Sequence, residues 1–495
     1  MKRLFNYKKY SEDNSDLVSH FAGIDEAQLC DHYITYGHRE LRGVPEARVS
    51  MDLDGMLFSD AGYIYLAGWC DRRVFSTLTV SLRIGYMTYD FADLDPCWYQ
   101  RDDVSNVLGD YSNPAGYILL LSIPPEELVL APNVSIYING IKQREEPLIR
   151  FLSVDRFLNE ALGAVASLAT RPAGGTFDQA LKLSEAFGEV WQSYLVTQSF
   201  VPVFENRPLK SCQQSIIITL HRKFDMLLVQ LSELAKFLTT HDAEVIVVGN
   251  DLIAPEEMRA RVTAFCQIHD ISIRLILCSG NSGFSAGNNH GAKVARGDTL
   301  IFMNPDIFPP EGDAEQALAF LSSDPGDALH GAMLYYGDGM LMHSGMYSVR
   351  DLAFDAKRGK SCNLLRVEHF GKGLSHRVDD NQDGLDKALA GVRQDILLVS
   401  AALWKVSKAE FDAIGGLSTD YIFAYYEDAD FCLRWRDSGR EIVLDSTSRW
   451  LHLEGVGKET PPAVRSFMWL NRAFYSRRFE TSPLVVDTAQ DLQLL

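Results

Sequence analysis

"SIIITL", Ser215 to Leu220, is apolar almost throughout rather than alternating. A strand with one wet face alternates apolar and polar residues, whereas a nearly continuous apolar run suits a strand buried on both faces. The same style recurs in "EVIVVG" (Glu244 to Gly249), "IRLILC" (Ile273 to Cys278) and "TLIFM" (Thr299 to Met303). Between the first two runs, Phe224, Leu227, Leu228, Leu231 and Leu234 repeat at i, i+3, i+4 spacing, which predicts a crossover helix. Strands alternating with helices predict a parallel sheet and an α/β fold. In such sheets ligands lie beyond the carboxyl ends of the strands, so the residues directly after each run matter most.

After the third run comes "SGNSGFSAGNNHGAKVARG", Ser279 to Gly297. Glycines at 280, 283, 287 and 291 suggest backbone in close approach to a ligand, and a helix opening near Ser285 would aim N–H groups at an anion. The loop lacks G-x-G-x-x-G and follows the third strand rather than the first, which argues against a dinucleotide dehydrogenase. After the fourth run comes "MNPDIFPP", where Asp306 follows a turn stiffened by Pro305. A phosphate-friendly loop beside a carboxylate suits a divalent metal held by one or two acids and by substrate phosphates. Farther on, "FAYYEDADFCLRWRDSGREI" (Phe423 to Ile442) places Glu427, Asp428 and Asp430 at the mouth of a helix. Acids there answer the helix dipole without any chemistry, so their function needs other support.

"NSGFSAGNNHGAKVARGDTLIFMNPD", "FDAIGGLSTDYIFAYYEDADFCLRWRDSGREI" and "WLHLEGVG" together resemble the family 2 inverting glycosyltransferases of GT-A fold, particularly the bacterial rhamnosyl- and galactofuranosyltransferase-like group. The resemblance runs from Ser211 to about Arg478. It implies a Rossmann-like nucleotide-sugar transferase domain that uses Mn2+ or Mg2+, with Asp306 as the metal-binding acid and His452 as a further metal or diphosphate contact. Asp428 would be the base that deprotonates the acceptor hydroxyl, with Glu427 orienting the acceptor or loop and Asp430 capping the helix. The nucleotide sugar would meet Thr219, Leu220, His221, Asn281, Gly283, Phe284, Gly287, Asn288 and Asn304. The family's second strand often ends in a base-reading Asp, whereas this chain has "VVGND", so Asn250 and Asp251 stand in a shifted turn. Val399, Ser400, Ala401 and Ala402 would line the donor sugar or serve ordinary close packing. The implied partners are a UDP- or TDP-linked sugar and a glycan or lipid-linked glycan acceptor. A noncatalytic glycan-binding scaffold on the same fold is the alternative, and a nucleotidyltransferase is disfavoured because "LHRKFD" replaces its Gly-rich loop.

The rest of the 495 residues bounds this reading. Apolar residues at 46% and charged residues at 23% are globular values. A net charge of −19 argues against a bulk electrostatic grip on nucleic acid. Eight scattered cysteines without CxxC spacing read as reduced, mostly buried thiols. The basic start lacks the apolar stretch of a signal peptide and no run reaches membrane-span length, so a cytoplasmic protein is expected. Sequence pattern suggests a short helical motif at 1–48, a small β-sandwich at 49–150 and a helical connector at 151–208, and the resemblance implies a GT-A domain at 209–480 followed by a tail at 481–495. "DHYITYGHRELRGVP" (Asp31 to Pro45) looks like a motif found beside bacterial polysaccharide enzymes. The aromatic and arginine-rich "RSFMWLNRAFYSRR" (Arg465 to Arg478) reads as a helix packed on the core, with contact to an anionic membrane as the second reading.

Overall fold

The computed structural model describes residues 7–487, except 21–24, 33–35, 37–50, 73–79, 85–86, 109–112, 125–132, 139–140, 148–150, 170–176, 311, 356–359, 373–394, 396 and 454–459. The chain forms two compact units, Met1–Val165 and Ala166–Leu495. Their boundary falls inside the helix Val154–Ala169.

The first unit opens with short helices Tyr7–Asp13, Ser15–His20 and Glu26–His32. Most of the Asp31 to Pro45 motif lies outside the described residues. A five-stranded sheet follows, in the order Cys97–Tyr99, Gly116–Ser122, Tyr63–Cys70, Met51–Ser59 and Phe151–Leu152. A four-stranded sheet runs Met87–Asp90, Val80–Ile84, Asn133–Ile138 and Ile141–Pro147. Pairing is antiparallel except where Phe58 meets Phe151. Leu66 and Leu119 of one sheet share a core with Leu82 and Ile136 of the other, as the inner faces of a sandwich do.

The second unit is built on a mixed sheet. Its strands lie in the order Phe200–Asn206, Ile273–Cys278, Ala243–Asn250, Cys212–His221, Gly297–Met303, Leu403–Ser407, Leu329–Tyr335, Ile442–His452 and Ile307–Phe308, with Leu341–His343 paired to Leu329–Tyr335. The four strands predicted from apolar runs are parallel neighbours in the order third, second, first, fourth. Ile217 sits opposite Ile246 on one side and Phe302 on the other. Strand order reverses at the first strand, so a crevice opens beyond His221 and Met303, where a Rossmann-like sheet takes its ligand.

Both faces of this sheet are covered, which explains the apolar runs. All eight residues of Ala243–Asn250 are buried. Ile216, Ile218 and Leu220 face a core shared with Leu227, Leu231 and Leu234 of the crossover helix, while Ile217 points to the opposite core with Phe302, Trp404 and Trp435. Each such side chain contributes about 1.5–3 kcal/mol on burial. The side chain of Leu220 is thus committed to packing, a correction to its expected place in the nucleotide wall. Two further strands, Met346–Asp355 and Lys360–His369, form a hairpin whose edge pairs in parallel with Val486–Asp487, so the segment expected to be a tail contributes a strand. Among the described residues, no helix is long and apolar enough to cross a membrane.

Candidate active site

Asn304, Pro305 and Asp306 turn the chain out of the fourth parallel strand into the short strand Ile307–Phe308. That strand pairs antiparallel with the end of Ile442–His452, setting Ile307 opposite His452, and the Leu453 N–H donates to the Asp306 carbonyl at 3.0 Å. This register brings His452 Nε2 to 3.2 Å from Asp306 Oδ1. Gln230 holds the turn from below, its Nε2 donating to the carbonyls of Asn304 (2.7 Å) and Ile307 (3.0 Å). His452 is only 7% exposed, and its Nδ1 is buried with no hydrogen-bond partner among the described residues. Asp306 remains partly open. Among the described residues no cluster of three metal-ligating side chains exists. One imidazole nitrogen and one carboxylate oxygen converging at an open strand end fit a cation that draws its other ligands from phosphate and water.

The loop Ser400–Ala402 connects this turn to a second group of acids. The Asn304 N–H donates to the Ala402 carbonyl at 2.8 Å, and the Ala401 N–H donates to Asp428 Oδ2 at 3.4 Å. Asp428 also accepts from the Ala429 N–H at 2.8 Å and from the Ser400 hydroxyl. Burial pushes the Asp428 carboxyl upward, and these three donors oppose the rise. Glu427 beside it is 6% exposed, with Oε2 buried and unpaired among the described residues. Burial, then the negative Asp428, drive the Glu427 carboxyl well above the usual carboxylate range. Both carboxyls are raised, Glu427 well above its usual range, and the donors that favour the ionised form converge on Asp428. Beneath the loop, the Ser400 N–H donates to His343 Nε2 at 3.2 Å, while His343 Nδ1 lies 2.9 Å from His369 Nδ1. An acceptor at Nε2 requires the proton on His343 Nδ1, and burial lowers this imidazole's pKa well below its usual value, keeping it neutral.

Asp430 has a different task from the expected helix cap. It is fully buried, pairs with Arg434 Nε at 2.6 Å and Arg478 Nε at 3.1 Å, and accepts from the Tyr421 hydroxyl at 3.0 Å. The chain entering the helix Glu427–Asp437 is left-handed at Phe423 (φ 58°), Tyr425 (φ 80°) and Tyr426 (φ 74°). Non-glycine residues pay about 1–3 kcal/mol each for such backbone, and it persists only where its surroundings hold it.

The glycine-rich loop opens a helix near Ser285 as expected, but its glycines serve a different purpose. The helix Gly283–Val294 begins two residues before Ser285, with Gly283 at φ 74°. A Cβ on Gly287 would lie 2.8 Å from Thr219 Cγ2 and 3.0 Å from Asn250 Nδ2, and one on Gly291 would lie 2.5 Å from Ile217 Cγ2. These two glycines let the helix rest on the sheet, a correction to the expectation that they admit a ligand. Asn288 and Asn250 are likewise buried: Asn288 accepts from the Thr219 hydroxyl at 3.0 Å, and Asn250 binds Ser282 and the Gly283 carbonyl. They brace the loop rather than face the crevice. His221 and Asn281 do meet at its edge, 3.3 Å apart. Asp251 is exposed and pairs with Arg222 at 3.3 Å. The Phe284 N–H donates to the Phe423 carbonyl at 2.6 Å, joining this loop to the acidic helix. Val399 is buried against Cys432, its N–H donating to the sulfur, so it serves packing, while Ser400 is partly open.

Residues 215–369 match the model of glycosyl transferase family 2. This stretch is similar to a glycosyltransferase family 2 domain. Its Rossmann-like sheet is the GT-A arrangement, and Asp306 lies within the matched residues whereas Asp428 and His452 follow them. An uncharacterized protein of Sinorhizobium fredii (strain NBRC 101917 / NGR234), y4gI, is 26% identical over 242 residues, which are 48% of this chain and 24% of that protein. The chain thus spans less than two thirds of that relative's length. Among solved structures, GalNAc-T7 with UDP, GalNAc and Mn2+ aligns at 13% identity and TM-score 0.36, covering 55% of this chain and 53% of that one. The mannosyltransferase PcManGT of Pyrobaculum calidifontis, in complex with GDP-Man and Mn2+, aligns at 12% identity and TM-score 0.33, covering 65% and 87%.

Three contributors to the candidate site escaped the motif reading: His343 under Ser400, Gln230 under Asn304, and Asn471 behind the strained loop. Gln230 and Asn471 each interrupt the apolar face of a helix, which is the sequence signal that marks them.

Proposed function

We propose that the chain is an inverting glycosyltransferase that moves a sugar from a nucleoside diphosphate to a hydroxyl of a glycan acceptor. The observation that carries this reading is the loop Ser400–Ala402, which binds the Asn304–Asp306 turn at one end and Asp428 at the other. It supports a site with a diphosphate seat at one end of this loop and a proton acceptor at the other.

In this reading the nucleotide lies along the crevice beside Thr219, His221 and Asn281, with Phe284 and Gly283 forming the near wall and Asn304 toward the ribose. Asp306 and His452 would hold Mn2+ or Mg2+, which supplies positive charge to the departing diphosphate. The acceptor oxygen attacks the anomeric carbon from the face opposite the diphosphate and inverts its configuration. Asp428 takes the proton from that oxygen as the new C–O bond forms, and the bond from the anomeric carbon to the diphosphate oxygen breaks with its electron pair. Ala401 N–H and the Ser400 hydroxyl orient the carboxylate for this step, and neutral Glu427 adds no competing negative charge.

The resemblance in motif extends the proposal to a UDP- or TDP-linked hexose, deoxyhexose or galactofuranose and to bacterial cell-surface polysaccharide synthesis on the cytoplasmic side. A thermal-shift panel of UDP, TDP, GDP and their sugars, with and without manganese or magnesium, tests the donor side, because a ligand that binds only the folded state raises its apparent stability. A shift that needs both metal and one nucleotide supports the transferase. No shift with any of them removes the donor site and favours a glycan-binding scaffold.

A further inference from the structure

The C-terminal helix Pro462–Arg478 grips the chain on both sides of Asp428. Before it, Asn471, 1% exposed, uses its whole carboxamide on the left-handed segment. Its Oδ1 accepts from the Ile422 N–H at 2.9 Å, and its Nδ2 donates to the carbonyls of Ile422 (3.0 Å), Ala424 (2.8 Å) and Tyr425 (3.4 Å). After Asp428, Arg478 of the same helix meets Asp430.

Phe423, Tyr425 and Tyr426 are not glycines, so their backbone would relax unless its polar groups were satisfied in this conformation. Asparagine offers one acceptor and two donor hydrogens in a short rigid group, the set that this turn consumes. The same turn gives its Phe423 carbonyl to the Phe284 N–H, so its shape is set jointly with the start of the loop helix. Asp428 follows two residues after Tyr426, and its carboxylate must reach Ala401 at 3.4 Å and Ala429 at 2.8 Å.

We propose that Asn471 is a positioning residue for Asp428: its carboxamide pins Ile422, Ala424 and Tyr425, holds the left-handed turn at Phe423, Tyr425 and Tyr426, and so sets where the carboxylate meets Ser400 and Ala401. This rests on the reading of Asp428 as the base, and Asn471 itself touches no substrate.

The test uses the full chain with Asn471→Ala and Asn471→Asp. The aspartate keeps the size and the acceptor for Ile422 N–H but lacks the donors to the three carbonyls, and it carries the test where the alanine variant fails to fold. Amide hydrogen exchange at Ala401 and Ala429, both held by Asp428, is expected to quicken by about tenfold or more, while residues 216–220 of the central strand stay protected. The kcat is expected to fall about 100-fold with the donor KM unchanged, and Asn471→Asp combined with Asp428→Asn should be no slower than Asp428→Asn alone. Unchanged exchange at Ala401 and Ala429, an unchanged kcat, or additive losses in the double variant would overturn the proposal. Should the wild type turn over no nucleotide sugar, the transferase reading falls by itself, and exchange at Ala401 and Ala429 still decides the role of Asn471.

Discussion

Glu427, Asp428 and Asp430 crowd four positions of one helix, and each carboxylate meets a different neighbourhood. Asp428 meets two donors from the loop Ser400–Ala402 and a third from Ala429, Glu427 is buried with an oxygen unpaired among the described residues, and Asp430 joins two arginines. Asp428→Asn should reduce transfer by about 100-fold or more while nucleotide binding, measured by calorimetry, survives. A base works only when ionised, so activity should be lost as pH falls through the raised Asp428 value, placing the acid limb of kcat/KM above the ordinary aspartate range of about 3.9. Glu427 has the linkage of a raised carboxyl: the folded state binds its proton more tightly than the unfolded state. Its contribution is fully present below the unfolded value and is lost as pH rises through the folded one. Glu427→Gln should therefore gain stability over the wild type as pH increases, and thermal melts across pH that show no divergence would contradict a raised Glu427. Asp430→Asn removes the buried carboxylate that Arg434 and Arg478, both partly exposed and held by other partners as well, meet in common, and should cost about 1–3 kcal/mol in denaturant unfolding.

At the scale of elements, close packing of the helix Gly283–Val294 on the first two strands decides how the crevice is shaped. Gly287→Ala places a methyl against Thr219 and Asn250, neither of which can withdraw without disturbing the loop. About 1–3 kcal/mol of stability should be lost, seen as a lower Tm, with weaker nucleotide binding in the same sample. The antiparallel pairing of Ile307–Phe308 with Ile442–His452 delivers His452 to Asp306 across a long sequence gap. Asp306→Ala should therefore reduce nucleotide affinity in the presence of manganese and leave metal-free affinity unchanged; equal titrations for variant and wild type would remove the ligand role. The strands and the crossover helix were legible in the apolar runs because burial on both faces leaves so little choice of residue. The glycines were misread because a gap beside a ligand and a gap beside another element demand the same absent side chain.

The whole molecule contains two units with separate cores, so calorimetric unfolding should show two transitions, with nucleotide and metal raising only that of Ala166–Leu495. Sequence by itself determined the α/β class, the parallel strands, and the positions of Asp306, Asp428 and His452 at the ends of elements, since hydrophobic period and motif order are local properties. It did not determine how three neighbouring acids differ in surroundings, because their partners meet them only when Ser400, Ala401 and Arg478 arrive from elsewhere in the chain. Nor did it reveal that Asn471 closes over a left-handed turn 46 to 49 residues earlier through four hydrogen bonds. Tertiary structure alone decided these points, because the energy of a buried charge or a strained backbone depends on what surrounds it rather than on what precedes it in the chain.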